Sequence, residues 1–159
     1  MKTVYFRLVK SKHSFYDRVI SWYTRSPYVH AEFAWPLTQK EKCEWLGAQP
    51  KDGVAIRGHD YLSEAKYDLF SMTVRESDYA ILRTWLKRQI GKKYDWKAIV
   101  NMGKFEHDVM SPNKWFCSEL VFAAFYQIGH DLLRLPYSER DRITPRDIGL
   151  SCKITQIDH

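Results

Sequence analysis

Hydrophobic residues follow a strand-like pattern in the first half of the chain and a helical spacing in much of the second half. Strand-like segments, rich in β-branched and aromatic residues, cover residues 3–10, 28–35, 43–49, 54–58 and 66–74. Helical spacing covers residues 15–24, 76–90 and 117–129. A short helix after Thr144 and a last strand over residues 152–157 complete the pattern. Strands grouped in the middle with helices on either side predict an α+β fold built on an antiparallel sheet.

The ends and faces of the helices can be read from the same pattern. Ser14 is placed to cap the first helix, and Thr144 caps the short one with Pro145 at its first position. The second helix is expected to bury one stripe, made of Ile81, Leu82, Trp85, Leu86 and Ile90. The third helix is expected to bury Cys117, Leu120, Val121, Ala124, Phe125 and Ile128.

Length and composition predict one globular domain over residues 1–159. The chain has 45% hydrophobic residues, which is enough for a proper core. The first residues mix charges into their apolar positions too often for a signal peptide, and no run reaches the roughly 18 apolar residues of a membrane helix. We therefore expect a chain that starts near Met1, has no transmembrane segment and is cytoplasmic at synthesis. Three widely spaced cysteines favour reduced thiols over a disulfide framework.

The net charge of +6 raises the question of an acidic partner such as nucleic acid. Lysine and arginine are spread along the chain and interleaved with acids, which is typical of a solvated charged surface. We therefore expect no nucleic-acid partner, and a basic nucleic-acid-binding protein is the weakest of the alternatives below.

Cys117 and His30 are the residues with the clearest chemical potential. Cys117 stands where the third helix begins, so unpaired backbone N–H groups and the helix dipole favour its thiolate. His30 lies in a strand among apolar and aromatic neighbours, where its ring nitrogens need a partner. Each residue alone is more often structural than catalytic, but a thiol and an imidazole together indicate a nucleophile and its base.

The order of these motifs resembles a known family. The segments concerned are "YVHAEF", "WLGAQPKDGV", "GKKYDW", "WFCSELV" and, after them, "ITPRDIGLS". Over residues 26–129 the chain is similar to the circularly permuted papain-like cysteine hydrolases of the NlpC superfamily, in the branch of the YiiX and YebB types. Lecithin:retinol acyltransferase is a more distant relative of that branch. The resemblance implies a papain-like fold, Cys117 as the nucleophile and His30 as its base.

The third catalytic position departs from the family pattern. The family places a polar residue on the strand after the histidine strand, where this chain has Gly47. Gln49 lies two residues further on the same strand face and is the preferred residue for orienting the imidazole. Glu32, on the face of His30, and Glu44, on the opposite face of its own strand, are the alternatives. Substitution of Gln49 is expected to slow acyl transfer less than loss of Cys117.

The resemblance implies an enzyme that cleaves an amide or ester through a thioester acyl-enzyme. The substrate could be a peptidoglycan peptide or a lipid acyl group, and Trp115 and Tyr94 are candidates for contacting it. No cofactor is expected, and no metal, because motifs such as Cys-x-x-Cys are missing from the sequence. The alternative is a catalytically silent protein of the same fold that binds a ligand or another protein. The oligomeric state stays open.

Overall fold

A six-stranded sheet forms the centre of the computed structural model, which describes residues 1–10, 14–97 and 113–157. Its strands are β1 (Lys2–Val9), β2 (His30–Trp35), β3 (Glu44–Gln49), β4 (Gly53–Arg57), β5 (Tyr67–Val74) and β8 (Thr155–Ile157). Their order across the sheet is β4-β3-β2-β1-β5-β8, and every neighbouring pair is antiparallel. Two further strands, β6 (Lys93–Tyr94) and β7 (Lys114–Trp115), form a separate parallel pair.

Helices pack against the sheet. Those with both ends inside the described ranges are α1 (Phe15–Thr24), α2 (Glu76–Gln89), α3 (Cys117–Tyr126), the 3₁₀-helix η1 (Tyr137–Arg142) and α4 (Pro145–Gly149). In the part of the chain that the structure describes, none of the helices combines the length and apolar character needed to cross a membrane. The prediction of an α+β fold with an antiparallel sheet packed against helices is confirmed.

The local signals of the sequence position several elements correctly. Ser14 accepts a hydrogen bond from the Asp17 N–H while the Asp17 carboxylate accepts from Ser14 N–H, which closes a capping box at the start of α1. Thr144 and Asp147 do the same for α4, with Pro145 at its first position. The β6–β7 pair and η1 are short elements that the hydrophobic pattern did not indicate.

The helix α3 lies at the centre of the core. Every residue from Cys117 to Phe125 is buried, so all sides of the helix before its exposed last residue, Tyr126, are covered, by β2, β3, α2, η1 and α4. Phe125 contacts Phe6 of β1 and Phe33 of β2, with ring centroids 5.7 and 5.5 Å away. Helix α3 is therefore held against the middle of the sheet, and its first residue has a fixed position.

The stripe expected on α2 is partly wrong. Leu82 and Leu86 are fully buried, but Ile81 is 51% exposed and Ile90 is also exposed. The side of the helix that packs inward instead includes Asp78 and Gln89, both buried. Polar residues are tolerated there because Asp78 pairs with Arg75 and the Gln89 side chain bonds the Trp85 carbonyl and the Trp115 indole.

Neighbouring alanine substitutions in α2 test this assignment. Leu82→Ala is expected to lower the free energy of unfolding by about 2–5 kcal/mol because it leaves a cavity in the core. Ile81→Ala, its matched control one residue away, should cost under about 1 kcal/mol because half of that side chain is already in water. Urea denaturation followed by circular dichroism measures both, and equal losses would contradict the observed orientation of α2.

Candidate active site

The first turn of α3 is fixed by contacts on both sides of Cys117. The Trp115 indole N–H donates to Gln89 Oε1 at 3.1 Å, and the Ser118 hydroxyl donates to the Ile143 carbonyl. The Glu119 carboxylate accepts from the Phe116 N–H at 3.3 Å. Cys117 itself is the first residue of the helix and only 1% exposed. Its thiol is therefore held at the positive end of a rigid helix.

His30 is the first residue of strand β2, and the side chains of Glu32, Gln49 and Cys117 lie near its ring. Its Nε2 lies 3.0 Å from Glu32 Oε2 and 2.9 Å from the amide nitrogen of Gln49. Cys117 is close enough to the ring to contribute to the raised pKa of His30. Since Nε2 is occupied by Glu32 and Gln49, Nδ1 is the nitrogen left for the thiol. The structure thus brings together four residues that the sequence singled out.

A buried arginine holds the Glu32 carboxylate in place. Arg7 lies directly opposite Glu32 in the β1–β2 register, and its Nε donates to Glu32 Oε1 at 2.7 Å while its Nη2 binds the same oxygen. The guanidinium stacks on the Trp45 ring, 3.7 Å from the ring centroid, and Nη2 also donates to the Tyr61 carbonyl. Arg7 and Glu32 are 2% and 0% exposed. Sequence reasoning missed Arg7, which is the only charged residue among the apolar ones of β1 after Lys2.

Gly47 makes room for the Glu32 side chain. A Cβ atom at Gly47 would lie 2.7 Å from Glu32 Cβ, closer than Cβ contacts in proteins, and 3.3 Å from Glu32 Oε2, which is a tight contact. Position 47, where the family resemblance led us to expect a polar residue, therefore carries no side chain. The carboxyl group of Glu32, from strand β2, occupies the space beside it.

The electrostatics of the site favour a protonated His30. Burial alone would lower the pKa of the imidazole, but the Glu32 charge, with contributions from Cys117, raises it to about 9. Burial likewise acts to raise the pKa of Glu32, yet the charges of His30 and Arg7 hold it below its ordinary value. The buried cluster therefore contains one carboxylate between two cations.

Glu119 is a second buried carboxyl group near the thiol. Burial raises its pKa to about 7, although the Phe116 N–H and the Arg140 guanidinium act in the opposite direction. Arg140 Nε lies 3.1 Å from Glu119 Oε1 and connects η1 to the first turn of α3. Sequence reasoning missed this pair as well, because the two residues are distant in sequence.

A cavity of about 360 Å³ opens beside His30. Its walls include His30, Gln49 and Tyr94, together with Tyr16, Asp17 and Ile20 of helix α1. Tyr94 is buried, which raises the pKa of its hydroxyl well above the ordinary value, and the neighbouring Cys117 acts in the same direction. The hydroxyl therefore stays protonated and can donate a hydrogen bond into the site.

Other residues named by the sequence lie away from this cavity. Glu44 is exposed and opposite Trp35 at the far end of β2 from His30. Trp115 is buried in the core against Trp85, with ring centroids 5.5 Å apart, and is not among the residues that line the cavity. Within the described residues, no group of three or more histidine, cysteine, aspartate or glutamate side chains is arranged to hold a metal ion.

Comparison of the chain with models of known protein families found no match, and comparison with curated proteins found no relative.

The raised pKa of His30 predicts a pH dependence of stability. A histidine whose folded pKa exceeds its unfolded value stabilises the fold fully below about pH 6.5, and this contribution is lost as the pH rises through about 9. The free energy of unfolding of Cys117→Ser, minus that of Cys117→Ser/His30→Gln, should therefore fall across this window, and the Cys117→Ser background keeps the neighbouring thiol out of the comparison. Urea denaturation at several pH values measures both free energies of unfolding. Subtracting one from the other cancels the contribution of Glu119, which both proteins contain. A difference independent of pH would show that His30 is not held protonated.

Proposed function

We propose that this protein is a cysteine hydrolase that cleaves an amide or ester bond, of the permuted papain-like type that its motif order resembles. The observation that carries the proposal is the chain of contacts from Arg7 through Glu32 to His30, with Cys117 near enough to the ring to act on its pKa. A thiol at a helix N-terminus, an imidazole beside it and a carboxylate on the far ring nitrogen form a nucleophile, a proton carrier and an orienting group.

The reaction begins with proton transfer from the Cys117 thiol to the His30 ring. The raised pKa of His30, about 9, favours the imidazolium that this transfer forms. The thiolate attacks the substrate carbonyl carbon, a C–S bond forms, and the carbonyl π electrons move to oxygen. As the intermediate collapses, the C–N or C–O bond breaks and the leaving group takes the proton from His30.

Water completes the cycle. Neutral His30 removes a proton from water, the hydroxide attacks the thioester carbonyl, and the C–S bond breaks to release a carboxylic acid and the thiolate. One water is consumed for each bond cleaved. The backbone N–H of Cys117 is the donor available to the oxyanion, because the preceding N–H of Phe116 is bonded to Glu119.

The structure supports Glu32 over Gln49 as the group that orients His30. An amide nitrogen only donates hydrogen bonds, so Gln49 can bond Nε2 through this atom only when Nε2 carries no proton. A carboxylate only accepts, so Glu32 requires a proton on Nε2, which leaves Nδ1 to exchange a proton with the thiol. The sequence argument preferred an amide because it brings no full charge into the site. Arg7 removes that objection by neutralising Glu32.

A catalytically silent binding protein of the same fold is the second candidate. The observations that favour it are the low exposure of Cys117, which is 1%, and the absence of Cys117 from the residues that line the cavity. The reactivity of the thiol separates the two functions.

Alkylation of Cys117 tests the proposal directly. Cys43→Ser/Cys152→Ser leaves one thiol, and intact-mass measurement of its reaction with iodoacetamide at pH 7 should show rapid single labelling. His30→Ala in the same background should slow the labelling about tenfold or more, because the imidazolium that stabilises the thiolate is gone. Labelling no faster than in His30→Ala would favour the silent binding protein. A stable mass increment with a p-nitrophenyl ester would in turn identify the acyl-enzyme.

A second set of variants separates Glu32 from Gln49. Arg7→Met/Glu32→Gln removes both buried charges together, so that neither is left unpaired, and it is expected to reduce the alkylation rate about tenfold or more. Gln49→Ala should change the rate less than about threefold, because the Arg7, Glu32 and His30 contacts remain. If Gln49→Ala instead slowed alkylation more than Arg7→Met/Glu32→Gln did, Gln49 and not Glu32 would be the residue that orients His30. Thermal unfolding checks that both variants are folded.

A further inference from the structure

Helix α1 presents an unusually exposed aromatic face. Phe15 is 74% and Trp22 is 81% exposed, and Tyr23 is half exposed beside them. Buried Ile20 and Thr24 attach the opposite side of the helix to the protein. A group of exposed aromatic residues on one surface typically marks a site that binds another protein, a ligand or a membrane.

Two arginines lie on the same stripe as the two most exposed aromatic residues. Phe15, Arg18, Trp22 and Arg25 are spaced by three and four residues, so they follow one line along the helix. Within the described part of the chain, neither arginine forms an ion pair. The only acidic residue of α1, Asp17, lies on the cavity side. The stripe therefore combines aromatic side chains with positive charges and carries no negative charge.

A shallow groove runs beside this stripe. Its lining includes Arg18, Trp22 and Arg25, with Ser21 and Ser26 between them. Guanidinium groups at the edge of a groove that also contains hydroxyl groups suit a phosphate, and the indole beside them suits the boundary between headgroups and acyl chains. These are the properties of a short helix that lies on a membrane surface.

We propose that the stripe of Phe15, Arg18, Trp22 and Arg25 binds the surface of an anionic lipid bilayer. The aromatic side chains enter the interface and the two arginines contact lipid phosphates. The protein as a whole carries a net charge of +6, which adds attraction to such a surface. This binding does not depend on the chemistry of Cys117.

The same helix forms part of the wall of the His30 cavity. Tyr16, Asp17 and Ile20 line that cavity, while Phe15 and Trp22 point away from it. A protein bound through the stripe would therefore hold its cavity within about one helix diameter, roughly 10 Å, of the lipid.

Vesicle binding tests the proposal without any turnover. The full-length Cys117→Ala protein is mixed with vesicles of phosphatidylcholine and phosphatidylglycerol in equal amounts, or of phosphatidylcholine alone, and sedimented. We expect binding to the anionic vesicles that weakens with salt, and at least about fivefold weaker binding to the neutral ones. Phe15→Ser/Trp22→Ser should weaken the binding about tenfold or more. Arg18→Gln/Arg25→Gln should weaken it about fivefold or more.

Matched controls place the effect on this stripe. Leu135→Ser/Leu150→Ser removes two exposed apolar side chains elsewhere, and Lys87→Gln/Arg88→Gln removes two exposed charges from α2. Both control variants should bind the anionic vesicles within about twofold of the parent protein. The proposal is overturned if the parent does not sediment with anionic vesicles, or if the controls lose as much binding as the stripe variants. It is equally overturned if duplex DNA binds as tightly as the vesicles and Phe15→Ser/Trp22→Ser binds both as the parent does.

Discussion

The buried ion pair between Arg7 and Glu32 is the interaction on which the site depends. Both side chains are almost completely buried. Removing one partner of such a pair typically lowers the free energy of unfolding by about 3–5 kcal/mol, because the other charge is left buried without a partner. The pair joins β1 to β2 in the middle of the sheet, directly across the strand boundary. It also fixes the carboxyl oxygen that faces His30. Stability and site geometry are therefore linked through one contact.

The environment of the pair explains how it is accommodated. Trp45 and Tyr67 lie beside the guanidinium, so the cation is stacked on aromatic rings as well as bonded to the carboxylate. Gly47 leaves the volume that the Glu32 side chain needs. Removing the side chain from one strand thus allows a neighbouring strand to place a charge beside the histidine. The carboxyl group that contacts His30 therefore comes from its own strand and not from position 47 of the next one.

The helix α3 supplies the second half of the site by a different means. Because it is buried on every side, its position is set by apolar packing against the sheet and by the anchors at its first turn. The cost of this arrangement is a thiol with little exposure and a carboxyl group, Glu119, that titrates near neutral pH. The rigidity that aligns Cys117 with His30 also limits access to the sulfur.

The sequence by itself indicated most of the elements and the two candidate residues, Cys117 and His30. Strand and helix periods, the caps at Ser14 and Thr144, and the start of a helix at Cys117 are local properties, encoded within a few residues of one another. Which face of α2 is buried was decided by the tertiary structure, since Ile81 and Leu82 are equally apolar in the sequence. The pairing of Arg7 with Glu32 likewise required the register of two strands 25 residues apart, which no local pattern contains. The charge state of His30 depends on that pairing, so it too was settled only when the strands came together.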